Sequence, residues 1–185
     1  MALSPNADPS GASKNDSTEF ISSRCSRTTY PVLCRTSLSA YASQMQSSPA
    51  KLAQVAVVLS HAHAESAFSL VTSMAKSGTP NRDEAAVLAD CGMMMGDAVK
   101  QLQRSRYAMG AVSARGLNAK ASMENAQTWV SSGLTDESMC ASGLARVDLG
   151  GKRDVVRGRV VMAARLTSNA LSLIGRLASS MEISP

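Results

Sequence analysis

The chain has 185 residues, a net charge of +5 and only 3% aromatic residues against 44% hydrophobic ones. That length suits one domain plus a tail, and a surplus of Ala, Ser, Leu, Val and Met over aromatics favours packed helices over a sheet. No Lys/Arg block interleaved with aromatics and no 18-residue apolar run occurs, so neither nucleic acid nor a membrane is an expected partner.

In chain order, residues 1–17 are rich in Ser, Asn, Asp, Pro and Gly and read as a flexible tail. The tail lacks the basic-then-apolar pattern of a secretory signal, and Asn15-Asp16-Ser17 in it is a glycosylation sequon. Residues 18–45 form two short helical candidates around a turn at Ser26–Pro31, with Pro31 suited to a first helical turn.

Residues 46–182 carry four long helical patterns. Ser48-Pro49 starts the first, whose expected seam is Leu52, Val55, Leu59, Ala62, Ala67, Leu70 and Met74. Thr79-Pro80 starts the second, with Asp83 and Glu84 at the positive end of the helix dipole. Its seam is Leu88, Cys91, Met95, Val99, Leu102 and Met109, at the period of knobs-into-holes packing. The third holds Trp129 and Cys140, and its small residues and Trp129 read as helix packing. The fourth carries Val156, Val160, Ala163, Leu166, Ala170, Leu173, Leu177 and Met181. The fold expected is all-α: an up-down-up-down four-helix bundle with an N-terminal helical-hairpin extension.

The cysteines stand at 25, 34, 91 and 140, with no Cys-x-x-Cys spacing and no nearby histidine, so zinc is not expected. An even count at wide spacing points to two disulfides and an oxidising compartment. Three connectivities are open. Neighbour pairing, Cys25–Cys34 and Cys91–Cys140, is easiest for antiparallel helices, where the start of one faces the end of the next. With the missing signal pattern, this gives the expectation of a secreted protein whose signal has been removed.

Catalytic chemistry finds no footing. His61 and His63 are two apart on a helix and point about 200° from each other, so they cannot share an ion; one is expected near the surface and the other near a seam. No Gly-x-Ser-x-Gly elbow occurs, and Gly150-Gly151-Lys152 is too short for a phosphate loop. Met93-Met94-Met95 reads as core and core edge rather than a soft-metal surface. No enzyme activity, metal or cofactor is expected.

Four motifs, in order, resemble the plant invertase and pectin methylesterase inhibitor family. They are TEFISSRCSRTTYPVLCRTSLSAYA (18–42), EAAVLADCGMMMGDAVKQLQRS (84–105), QTWVSSGLTDESMC (127–140) and LTSNALSLIGRLA (166–178). The resemblance implies the bundle and both disulfides, secretion to the cell wall or apoplast, and 1:1 inhibition of pectin methylesterase by covering its substrate cleft and catalytic carboxylates. The acid-invertase inhibitors of the family carry a late Pro-Lys-Phe, which this chain lacks; acid invertase is the alternative target. The domain also occurs fused ahead of the esterase, and the free inhibitor is the form expected here.

By the same resemblance the contact face comes from the second and third long helices. It assigns Met93, Met94, Asp97, Lys100, Thr135, Asp136 and Glu137 to partner binding, with acids sensitive to wall pH. Met139 stands where the family frequently has Thr, which makes the patch more apolar. A different reading takes Arg153, Arg157, Arg159 and Arg165 as a pectin-binding helix face.

Overall fold

The computed structural model describes residues 9–45, 47–77, 80–114 and 118–182. Its helices are α1 (Pro9–Cys25), α2 (Pro31–Ser39), α3 (Ala42–Met45), α4 (Pro49–Lys76), α5 (Arg82–Ser113), α6 (Ala119–Leu144) and α7 (Arg153–Glu182). A 3-10 turn, Gly150–Lys152, leads into α7. The four long helices pack in sequence order, and α7 closes the ring against α4, which is the expected bundle.

Local chemistry sets the helix starts. The Ser48 hydroxyl accepts the Lys51 N–H at 3.4 Å and Pro49 fills the first turn. The α5 start differs from the sequence reading, because Asn81, not Thr79, is the cap. Its side-chain oxygen takes the N–H groups of Asp83 and Glu84, and Glu84 reaches back to the Asn81 N–H at 2.9 Å. That reciprocal capping box satisfies more backbone donors than a Thr-Pro start could.

The expected flexible tail divides in two. Residues 1–8 and the Asn15 side chain lie outside the described residues, while 9–17 form the first half of α1. Ser17 is buried there, and helix propagation from the packed 18–25 segment costs far less than nucleation.

The expected seams hold on α5, hold on α7 except at Met181, which is exposed, and shift on α4. Leu88, Cys91, Met95, Leu102 and Met109 are buried on α5, with Val99 at the edge. On α4 the buried line is Leu52, Ala53, Ala56, Val57, Ala64, Ala67 and Val71, while Val55, Leu59, Leu70 and Met74 flank it. The small side chains of Ala53, Ala56, Ala64 and Ala67 let its neighbours α5 and α7 approach. α5 and α6 approach closely at Gly133, where an added Cβ would stand 3.4 Å from Leu102 and 3.5 Å from the Ala98 carbonyl. Trp129 is half-buried beside the α6 seam rather than in it.

The hairpin of α1 and α2 is held by Cys25–Cys34, with Ile21 and Leu38 buried beneath it. Thr28 ends α1, its N–H and hydroxyl both donating to the Cys25 carbonyl. The hairpin docks on α7 through Asn169, whose side chain accepts the Tyr30 N–H at 2.9 Å and donates to the Tyr30 carbonyl at 3.0 Å. Ser168 donates to Thr29 at 3.0 Å, and Arg176 donates to the Arg27 carbonyl at 3.3 Å.

The second disulfide, Cys91–Cys140, joins α5 to α6 with its Cα atoms 4.6 Å apart. Just before it sits Glu137, expected at the partner surface. The structure corrects this: Glu137 is fully buried, with Thr167 of α7 donating to its Oε1 at 3.1 Å and Oε2 without a partner. The reason is register, since Met123, Ala126, Val130, Gly133, Glu137, Cys140 and Leu144 make one buried stripe in steps of three and four. Burial pushes the carboxyl up to about 8, with Thr167 opposing the rise and Asp136 adding to it.

Two measurements check this framework. Serine replacement of Cys91 and Cys140 should cost about 4 kcal/mol of unfolding free energy in urea, against about 2.6 for Cys25 and Cys34, because the longer loop leaves more chain entropy unconstrained. Glu137 binds its proton more tightly folded than unfolded, so its stabilising effect is complete below the ordinary carboxylate value of 4.5 and is lost as pH rises towards 8. Glu137→Gln should flatten that decline by an amount on the order of a few kcal/mol at the alkaline end. Parallel stability curves for the two proteins between about pH 5 and 8 would exclude a protonated Glu137.

A candidate contact face on α5 and α6

The staple fixes which side chains stand together. Cys91 and Cys140 hold the N-terminal part of α5 against the C-terminal part of α6, so the residues next to each cysteine form one stretch of surface. On the crest of α5 lie Met93, 66% exposed, and the ion pair of Asp97 with Lys100 at 3.0 Å. Both members of that pair are largely exposed, so it orients the side chains more than it stabilises the fold.

Across the groove, Thr135 is exposed, its hydroxyl turned back to the Ser131 carbonyl at 3.1 Å. Asp136 is half-buried. Burial raises its pKa, and the charge of Asp97 raises it further, which places two carboxylates within electrostatic reach across α5 and α6. Met94 is half-buried and faces this groove, an open depression of about 510 Å³ lined by Leu134, Thr135, Met139 and Arg146. A second depression of about 560 Å³ lies on the α4 side, where Met93, Asp97 and Lys100 meet Phe68.

Six of the seven sequence-predicted residues therefore share one face, divided by the crest of α5 into two shallow grooves. Glu137 lies beneath it. Met139, 53% exposed, belongs to the face although only its departure from the family pattern marked it. Its signal was helical spacing: it follows Thr135 by four residues and precedes Gly143 by four, so all three share one side of α6.

The arrangement offers two carboxylates, an ammonium and three thioethers, a set suited to docking. The histidines lie elsewhere, on α4. His61 is buried; its Nδ1 lies 3.1 Å from an Arg106 Nη and 3.4 Å from Glu65. Desolvation lowers its pKa, Glu65 opposing and Arg106 assisting. His63 is half-buried, its pKa lowered by desolvation and then by Arg159. One ring thus answers to α5 and the other to α7, and among the described residues no group of three His, Cys, Asp or Glu side chains could hold a metal.

Known proteins share both this fold and this sequence. The chain is 38% identical over 165 residues to Pectinesterase inhibitor 10 of Arabidopsis thaliana, an alignment spanning 89% of this chain and 53% of that one. It is 37% identical over 180 residues to Pectinesterase inhibitor 9 of the same plant, spanning 92% and 86%. The chain thus spans about half the length of the first relative and most of the second. A crystal structure of mutant form A of a pectin methylesterase inhibitor from Arabidopsis shares the fold, with a TM-score of 0.69 over 84% of this chain and 95% of that one at 15% identity. Residues 19–173 match the family model described as plant invertase/pectin methylesterase inhibitor, and the chain belongs to that family.

Proposed function

We propose that this protein inhibits pectin methylesterase outside the cell, forming a 1:1 complex in which the α5–α6 face covers the enzyme's substrate cleft. The observation that supports this target is the identity to chains named pectinesterase inhibitor, at 38% and 37% over most of this chain. The absence of Pro-Lys-Phe argues in the same direction and against acid invertase. The protein acts by occlusion and catalyses nothing. Two disulfides fit an oxidising, extracellular setting, and among the described residues no helix is long and apolar enough to cross a membrane.

The physical logic of the face is preorganisation. Each side chain ordered on binding lowers net affinity, and a stapled pair of helices presents its residues already placed. Met93, Met94 and Met139 supply apolar contact at the centre, Asp97, Lys100, Thr135 and Asp136 supply polar contact around it, and Glu137 supports α6 from below. Complex formation takes water from Asp136 beside Asp97, a pair whose charged forms already repel. The complex then holds protons more tightly than the free inhibitor, so affinity falls as pH rises through the range in which they ionise.

Titrating a plant pectin methylesterase and an acid invertase with the full chain tests the target. Esterase activity should fall linearly to a 1:1 endpoint while invertase is untouched; the reverse pattern would move the protein to the other branch. Met93→Ala, Asp97→Ala and Asp136→Ala should each weaken inhibition by about tenfold, the effect of losing one central interface side chain. Asp136→Asn should flatten the fall in affinity as pH rises from the ordinary carboxylate value of 3.8. Full inhibition by all of these variants would remove the face from the interface.

A further inference from the structure

A polar depression lies away from the α5–α6 face, where α1 and its following turn meet α7. It has a volume of about 640 Å³ and is lined by Asp16, Glu19, Phe20, Arg24, Arg27 and Arg176 together with two serines. Three guanidinium groups from three segments converge here, and among the described residues none forms an ion pair. Arg24 lies over the Phe20 ring at 5.3 Å, and Arg176 spends one N–H on the Arg27 carbonyl. A guanidinium has five donors, so most of this donor capacity points to solvent.

The surroundings extend the positive field. α7 carries no acid from Val155 to Met181, and Arg157, Arg165 and Arg176 are all exposed on it. They lie about 12 and 17 Å apart along the helix axis, at 1.5 Å per residue. Arg165 stacks on the exposed Tyr30 ring at 5.4 Å. Because α7 packs on α4 and α6, this side lies diagonally across the bundle from α5. A ligand held here leaves the crest of α5 free.

The segments are rigid. Cys25–Cys34 closes the turn that carries Arg27, and the paired hydrogen bonds of Asn169 to Tyr30 fix that turn on α7. The backbone that carries Arg27 therefore needs little ordering when a ligand arrives. The acids select what that ligand is. Asp16 and Glu19 at the α1 end repel a dense, continuous polyanion such as a phosphate backbone, yet accept hydrogen bonds from hydroxyls. A ligand with carboxylates spaced by hydroxyl-bearing rings meets both halves of the pocket.

We propose that the cleft between α1 and α7 is a second binding site, for an acidic oligosaccharide, in which Arg24, Arg27 and Arg176 hold uronate carboxylates and Asp16 and Glu19 accept sugar hydroxyls. Carboxylate and guanidinium match in a planar fork, which gives the contact direction as well as charge. The site does not depend on enzyme inhibition, so the protein can sit on an acidic polysaccharide while its α5–α6 face meets a protein.

Calorimetric titration of the full chain with a polygalacturonate oligomer, its fully methyl-esterified form, dextran sulfate, single-stranded DNA and phosphatidylserine vesicles tests this. The unesterified oligomer should bind at low salt and weaken several-fold near physiological salt, about one Debye length of 8 Å. The esterified form should bind at least about tenfold more weakly, having lost the charged partner of each fork. Arg24→Gln/Arg27→Gln/Arg176→Gln should lose at least about tenfold in affinity, while the equal charge loss Lys76→Gln/Arg82→Gln/Arg104→Gln changes it less than about twofold, since those residues belong to α4 and α5 and line no part of the cleft. Asp16→Asn/Glu19→Gln, which leaves the arginines in place, should raise binding of dextran sulfate and DNA relative to the uronate. Unchanged melting temperatures and unchanged esterase inhibition in these variants would show that the fold and the other face are intact. The proposal is overturned if the oligomer does not bind, if both triple variants lose affinity equally, or if dextran sulfate, DNA or vesicles bind the native chain as tightly as the uronate.

Discussion

Three consecutive residues of α7 hold the molecule's two halves in place. Thr167 bonds the buried Glu137 of α6, Ser168 bonds Thr29, and Asn169 bonds both backbone groups of Tyr30. Consecutive helix positions are about 100° apart, so three in a row reach in different directions. Here Thr167 meets the bundle, and Ser168 and the buried Asn169 meet the hairpin. The Thr-Ser-Asn run thus fits between two buried seam positions, Leu166 and Ala170, without interrupting them. These bonds add to the burial of Ile21 and Leu38, the short disulfide loop, the Arg176 bond to the Arg27 carbonyl and the stacking of Arg165 on Tyr30, since two isolated helices of this length are marginal on their own.

The same economy of contacts governs the α5–α6 pair. Gly133 lets α6 close on Leu102 and the Ala98 carbonyl, and the staple lies two turns further on. Close packing and a covalent link leave few ways for the surface above to rearrange. Exposed methionines on a rigid base combine a fixed position with adaptable tips, because the thioether chain can change rotamer without moving the backbone. The face thus has its helices set by the core and its fine fit left to side chains.

Much of this was legible in the sequence, and the reasons are local. Helical spacing read α5 correctly and α7 as far as Leu177, including Ala163 and Ala170, while Met181 stands exposed. It misread α4 because large apolar residues flank the buried line there: Val55, Leu59, Leu70 and Met74 lie beside it, and Ala62 is exposed. The neighbour pairing of cysteines followed from antiparallel order. Family motifs, rather than spacing, marked the face, and they carried Glu137 along with Asp136 because adjacent letters look alike in a motif. The helical register separated them: 137 lies three before Cys140 and four after Gly133, on the buried stripe, while 136 lies a hundred degrees away. Asn169 and Thr167 were visible only as part of a motif, because a buried polar residue shows its purpose only when its partner, far off in sequence, is known.

Glu137 also constrains how the fold responds to acidity. A leucine or methionine in that seam position would pack without a desolvation cost, whereas the carboxyl is tolerated only while protonated or hydrogen-bonded. Asp136, raised in the same direction, adds to its effect, so both acids favour the folded state most strongly at low pH. The two histidines act oppositely: with lowered pKa values they destabilise the fold as it takes up protons below about 6.5. His61 and His63 lie on α4, whereas the acids sit at the stapled end of α6. Acidification therefore favours folding through the acids of α6 and opposes it through the histidines of α4, so the two groups partly offset each other.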